Sequence, residues 1–235
     1  KERLADALAQ RAQHVFARCY ESNADAGQFS VCAEAIARRA LKNLALAYLV
    51  RTGEEQWLDT CHAQYCAASN MTDQMAALRC LVNSDSEKGQ EYAGADLASF
   101  YEQWRHEALV VDQWFSVQAV SPLPGALARV SELMAHDDFT LRNPNKVRAL
   151  IGAFCGQNHV AFHNKDGSGY EFLADRVLEL NELNPQIAAR LLTPLTRWRK
   201  YDSTRQALMQ AQLQRIKADP ALSKDVFEVV EKSTV

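Results

Sequence analysis

The sequence predicts an all-α protein, a superhelical array of antiparallel helix pairs of the degenerate α-solenoid kind. Three observations lead there. Apolar residues recur at helical spacing in almost every segment of the 235 residues, and no convincing run alternates with the period of a strand. The breaks are short, and short connections make neighbouring helices antiparallel. No helix reads as apolar all round and no strict repeat period is present, so paired helices would stack irregularly. No shift in composition divides the chain, so residues 1–235 are expected to form a single helical domain.

Residues 2 to 22 predict one helix with Leu4, Leu8, Ala12, Val15, Phe16 and Cys19 inward, then a turn over 23–28. Ser30 is expected to cap a long helix with Ala33, Ile36, Ala40, Leu44, Ala47 and Leu49 inward, ending at Thr52-Gly53. Residues 54 to 68 place Trp57, Leu58, Cys61 and Tyr65 on one side, and Glu54 and Glu55 suit the positive end of the helix dipole. Thr72-Asp73 is expected to cap a helix through Met75, Leu78 and Val82. Residues 86 to 106 carry Tyr92, Leu97, Phe100, Tyr101 and Trp104, and residues 108 to 120 carry Val111, Trp114, Phe115 and Ala119. Ser121-Pro122-Leu123-Pro124 is the clearest break, and Leu127, Val130, Leu133 and Met134 mark a helix beyond it.

Asn143 opens the most informative helix. Its side chain can accept from free N–H groups of the first turn, and Pro144 sits where a missing N–H costs nothing. Val147, Leu150, Ile151 and Phe154 fall at i, i+3, i+4 and i+7, a buried stripe, and Gly156 is expected to close the helix left-handed. Arg148 lies beside the stripe with no carboxylate four residues away on either side. Ser168 and Glu171 read as a capping box, with helix resuming at Gly169 and running to Leu183. Asn184-Pro185 repeats the Asn-Pro start, and Pro194 should bend or divide the helix that begins there. Ser203 and Gln206 read as a second capping box, and a last helix spans 223 to 232.

Hydrophobic residues at 48% and charged residues at 23% exclude a largely disordered chain. A net charge of −3 with interleaved signs gives no nucleic-acid surface, and no apolar run approaches the ~20 residues a membrane span needs. No signal peptide opens the chain, which begins inside a helical pattern and reads as a piece of a longer polypeptide. Six cysteines without framework spacing read as free thiols in a reducing, cytoplasmic setting.

Several patterns resemble metal or phosphate sites. His106-Glu107 begins like His-Glu-x-x-His, but Val110 stands where the second His belongs. Cys155, His159 and His163 would make a three-ligand face on one continuous helix, yet Gly156 and Asn158 should break it, leaving surface or loop-packing histidines. Cys61 sits on an apolar face from which His62 turns away, so Cys61, His62 and Cys66 do not read as a metal site. Asp166-Gly167-Ser168-Gly169 exposes N–H groups ahead of a helix but lacks the Lys of a P-loop, and reads as a tight turn. No Ser stands in a Gly-x-Ser-x-Gly context. Gln186 and Arg190, at i and i+4, share one helix face, which by itself reads as solvated.

Asn143-Pro144-Asn145-Lys146-Val147-Arg148, Asp166-Gly167-Ser168-Gly169-Tyr170 and Asn184-Pro185-Gln186-Ile187-Ala188-Ala189-Arg190 resemble blocks of the C-terminal helical domain of the bacterial aminopeptidase N family, the gluzincin zinc aminopeptidases. Asn70-Met71-Thr72-Asp73 and Val111-Asp112-Gln113-Trp114-Phe115 resemble earlier blocks in the same order. The resemblance implies a domain that closes over a catalytic domain of the same polypeptide and lines an internal chamber for peptide substrates. It implies chamber-lining roles for Gln186, near the substrate's first side chain, and for Arg148 and Arg190. It places zinc, held by two His and one Glu, in the catalytic domain of the parent and none in this chain, which by itself should hydrolyse no peptide. A different class of reading is a stand-alone helical scaffold binding a protein or peptide. A third is a small metallohydrolase on Cys155, His159 and His163.

Overall fold

Each predicted helical segment is helical in the computed structural model, which describes residues 2–24 and 29–234. Of the turn expected over 23–28, residues 25–28 lie outside the described residues. The protein is an all-α helical array, with no strand among the described residues. The helices group into two compact units, Lys1–His106 and Glu107–Val235.

The first unit contains α1 (Glu2–Arg11), α2 (Gln13–Ser22), α3 (Ala33–Val50), α4 (Glu55–Ala67), α5 (Met71–Val82) and α6 (Glu87–Trp104). Helix α2 packs on α3, α3 on α5, and α4 on both α5 and α6. The single helix expected over 2–22 is two, because Ala12 leaves the helical backbone at φ −115° and ψ 18°. Leu4, Leu8 and Val15 are exposed and not inward, whereas Phe16 stacks on Tyr48 at 4.5 Å.

Helix α3 buries a different face from the one its apolar spacing predicts. Ile36 and Leu44 are 53% and 54% exposed, and of the residues expected inward only Leu49 is buried, together with Ala35, Arg39, Lys42, Ala45 and Leu46. Two charged residues enter the core because each finds a partner there. Arg39 donates to the Ser30 carbonyl at 2.7 Å, and Lys42 Nζ meets Asp73 Oδ2 at 2.6 Å. Ser30 is not the cap of α3; its hydroxyl accepts from the Cys32 N–H just before the helix begins.

Helix α5 is capped by Asn70, whose Oδ1 accepts from the Asp73 N–H at 3.0 Å, and not by Thr72-Asp73. The Asp73 carboxylate instead accepts from Lys42, from Asn43 at 2.7 Å and from Asn70 at 3.1 Å. This network is why the Asn-Met-Thr-Asp block needs its first and last residues. At α6 the hydroxyl of Ser86 accepts from the Gly89 N–H.

The second unit contains α7 (Ala108–Ala119), α8 (Ala126–Met134), α9 (Pro144–Val147), a π-helical turn (Arg148–Gly152), α10 (Ala153–Gln157), α11 (His159–Phe162), α12 (Ser168–Leu183), α13 (Pro185–Leu191), α14 (Thr193–Thr196), a 3-10 turn (Trp198–Lys200), α15 (Ser203–Lys217) and α16 (Lys224–Thr234). Helix α12 packs on α13 and α15, and α13 on α16. Val147, Leu150, Ile151 and Phe154 are fully buried, as their spacing requires. The backbone between them is not one regular helix, because an extra residue per turn is accommodated in the π segment. The Ala149 carbonyl is satisfied from outside by the Ser116 hydroxyl at 2.8 Å. Lys146 pairs with Asp112 at 3.0 Å and lies over the Phe115 ring, which ties together two of the blocks that carry the resemblance.

Several helix boundaries differ from expectation. Gly156 does not adopt a left-handed conformation; helix continues to Gln157, and Asn158 ends it and caps α11. Ser168 and Glu171 form no capping box. Gly167 is the N-cap at φ +78°, α12 starts at Ser168, and Asp166 accepts from both the N–H and the hydroxyl of Ser168. Asp202, not Ser203, caps α15, accepting from the Arg205 N–H. At α11 and α15 an Asx side chain, Asn158 or Asp202, caps the helix, whereas α12 starts from the left-handed backbone of Gly167 with Asp166 holding the turn before it. Pro194 divides the helix between Leu191 and Thr193, as expected.

Candidate functional site

A cleft of about 430 Å³ opens in the second unit between the π turn with α10 and the broken helix of α13 and α14. Its apolar surface comes from residues such as Ile187 and Leu191, and its rim carries Arg148, Arg190 and Arg197. Arg148 starts the π turn, Arg190 sits in the last turn of α13, and Arg197 comes directly after α14. The Asn-Pro starts at 143–144 and 184–185 and the division at Pro194 therefore set where all three guanidinium groups emerge.

Among the described residues, no carboxylate lines this cleft. Arg148 donates to Asn145 Oδ1, and Arg190 and Arg197 have no ion pair among the described residues. Three guanidinium groups without internal counter-charges create a positive potential over a partly apolar cleft. Such a surface favours a ligand with a carboxylate or a row of carbonyl acceptors, which the planar fork of Arg engages in pairs of hydrogen bonds.

Arg148 and Arg190 are thus brought to one cleft. Gln186, one turn before Arg190, is not among the residues that line it. Sequence reasoning misses Arg197, which has no partner at helical spacing. It reaches the cleft only because Pro194 turns the chain, and that break is the available signal.

His163 forms part of the cleft wall and is held there by two tyrosine hydroxyls. It is buried, its Nδ1 lies 2.9 Å from Tyr170 Oη and its Nε2 2.8 Å from Tyr201 Oη. Both ring nitrogens are occupied, one as donor and one as acceptor, as a neutral imidazole requires. Burial first, then the charges of His159 and Arg205, push its pKa down to about 4. Its ordinary value is 6.5, so the unfolded chain takes up a proton that the folded chain refuses as the pH falls below 6.5. Stability is expected to be unaffected by this group above pH 6.5 and to fall by on the order of 2–3 kcal/mol by about pH 4. Urea melts of wild type and His163→Gln across that range check it: the variant should lose the slope that this group contributes.

Cys155 is buried, its thiol raised by desolvation, and Asn158 separates it from His159 and His163. His106 stands next to the break before α7, with Val110 in the first turn of that helix. All six cysteines are free, and among the described residues no helix is long and apolar enough to cross a membrane.

A family model described as "Domain of unknown function (DUF3458_C) ARM repeats" matches residues 1–235. The chain is 42% identical over 205 residues to aminopeptidase N of Haemophilus influenzae, covering 87% of this chain and 23% of the relative. It is 39% identical over 231 residues to aminopeptidase N of Escherichia coli, covering 98% and 25%. Among solved structures it is similar to Legionella pneumophila aminopeptidase A in complex with aspartic acid, with a TM-score of 0.89 and 32% identity, over 98% of this chain and 27% of that one. The chain spans about a quarter of the length of these relatives.

Proposed function

The chain belongs to the DUF3458_C family of ARM-repeat domains, the C-terminal helical domain of aminopeptidase N proteins, and from that premise we propose that it covers the catalytic domain of a zinc aminopeptidase and lines its substrate chamber. The parent hydrolyses N-terminal residues from peptides in the cytoplasm. Zinc belongs to its catalytic domain, and no step of the hydrolysis runs through the residues of this chain. What this chain contributes is a wall that excludes water and holds the peptide. Arg148 and Arg190, with Arg197 beside them, engage the carboxylate or the carbonyls of the peptide beyond the scissile bond. Gln186, on the same helix face as Arg190, borders the position of the first side chain.

The observation that carries this reading is the convergence of three guanidinium groups without internal counter-charges on one partly apolar cleft. In the full-length enzyme, Arg190→Ala is expected to weaken peptide binding or change the preferred peptide length and to leave the zinc content unchanged. A lost charge-assisted hydrogen bond costs about 1.5–3 kcal/mol, roughly a 10–100-fold loss. Steady-state kinetics over di-, tri- and longer peptides check this. Identical kinetics at every length would remove Arg190 from the site.

A further inference from the structure

The first unit holds a His–Cys pair backed by a buried carboxylate. His62 and Cys66 lie one turn apart on α4 and so share a side of the helix. His62 Nε2 is 3.7 Å from Cys66 Sγ, and its Nδ1 is 3.1 Å from Asp96 Oδ2 on α6. Asp96 is 2% exposed, and its backbone carbonyl accepts from the Tyr65 hydroxyl at 2.9 Å. The Tyr92 ring stacks on the imidazole at 4.2 Å, with 1° between the planes, and its hydroxyl donates to Asp59 at 2.7 Å. The imidazole is therefore held in plane and in rotation.

That arrangement fixes the tautomer. A carboxylate only accepts, so Nδ1 carries the proton and Nε2 presents a lone pair toward the sulfur. Zinc bonds of about 2.0–2.1 Å to nitrogen and about 2.3 Å to sulfur set the two donors about 3.6 Å apart on a tetrahedral ion. The pair is already at that spacing. A carboxylate on the far nitrogen of a ligating His is the usual way such a ligand is oriented and made more basic. Cys66 is exposed, so the remaining coordination positions face solvent.

We propose that His62 Nε2 and Cys66 Sγ form a binding site for a borderline or soft divalent cation, zinc foremost, with Asp96 as its positioning residue. The sulfur disfavours magnesium and calcium, which take oxygen ligands. The free thiol keeps its proton, binding releases it, and affinity rises with pH.

Cobalt(II) tests this in the intact protein, because only a thiolate ligand gives a sulfur-to-cobalt charge-transfer absorption, and a site of two His and one Glu has no sulfur. The other exposed thiol, Cys32, is first removed as Cys32→Ser. The band is expected to saturate at one equivalent, to be displaced by zinc and not by magnesium, and to vanish in Cys66→Ser. Asp96→Asn should keep the band and weaken binding roughly 10–100-fold. No band in the Cys32→Ser protein, a band that survives Cys66→Ser, or binding unaltered by His62→Gln would each overturn the assignment.

Discussion

Gly169→Ala is expected to be among the most destabilising single-methyl changes in this chain. A Cβ at Gly169 would lie 2.2 Å from the Phe162 carbonyl oxygen and 2.8 Å from its Cα. Both are backbone atoms of α11, which cannot rotate aside as a side chain would. The start of α12 and the end of α11 would have to separate. Phe162 and Tyr170, both fully buried beside this crossing, would lose their packing. Overpacking of a tight core costs about 1–3 kcal/mol and more where nothing can yield. A loss above about 3 kcal/mol, or roughly 6–12 °C in Tm for a chain of this size, is expected. Thermal unfolding followed by circular dichroism measures it, and a variant melting within about 2 °C of wild type would show that the two backbones can part cheaply. Gly156→Ala is the control, since a Cβ there meets nothing within 4 Å.

Asp73→Ala is the second large effect, for an electrostatic reason. The carboxylate accepts three side-chain hydrogen bonds in a buried setting, from Lys42, Asn43 and Asn70. Burial alone would raise its pKa, but these donors outweigh burial and hold it below the usual carboxylate range. Removing it leaves the Lys42 charge buried without that counter-charge, which costs about 3–5 kcal/mol. The reciprocal result separates loss of the pair from loss of packing. Lys42→Met combined with Asp73→Leu removes both charges and should recover most of the stability, because a buried pair repays little beyond its own desolvation. Denaturant midpoints of the single and double variants give the comparison. If the double variant is no better than Asp73→Ala, the network matters through its amide partners and not through the ion pair. The carboxylate's contribution is complete above its ordinary value of 3.8 and disappears as the pH falls through the lowered one.

Lys42 and Asp73 also show where the sequence stops being legible. Spacing alone identifies the buried stripe of Val147, Leu150, Ile151 and Phe154, because that face is purely apolar. On α3 two faces compete, and the apolar residues Ala33, Ile36, Ala40 and Leu44 outvote a face that contains Arg39 and Lys42. The second face is the buried one because its charges meet Ser30 and Asp73, and a period count cannot see a partner 31 residues away. The helix starts fail similarly at Ser168 and Ser203, where a hydroxyl with Glu or Gln three residues on suggests a box. An aspartate one or two residues earlier in each case takes the N–H groups instead.

The candidate site is legible where one residue sits in one block of the resemblance, as with Arg148 and Arg190. It is not legible where the chain folds back on itself. Arg197 enters the cleft through the bend at Pro194, and Asp96 reaches His62 from another helix. In both cases the chemistry belongs to a meeting of segments and not to either segment read alone.

The central claim is that the arginine cleft of the second unit holds the peptide while another domain cuts it. The most direct measurement compares short peptides ending in a free carboxylate with their C-terminal amides, in full-length wild type and in Arg190→Ala. Wild type should bind the free acids more tightly, and Arg190→Ala should erase most of that difference, with amide kinetics and zinc content nearly unchanged. Equal loss for acids and amides, or no loss for either, would contradict a carboxylate held by Arg190.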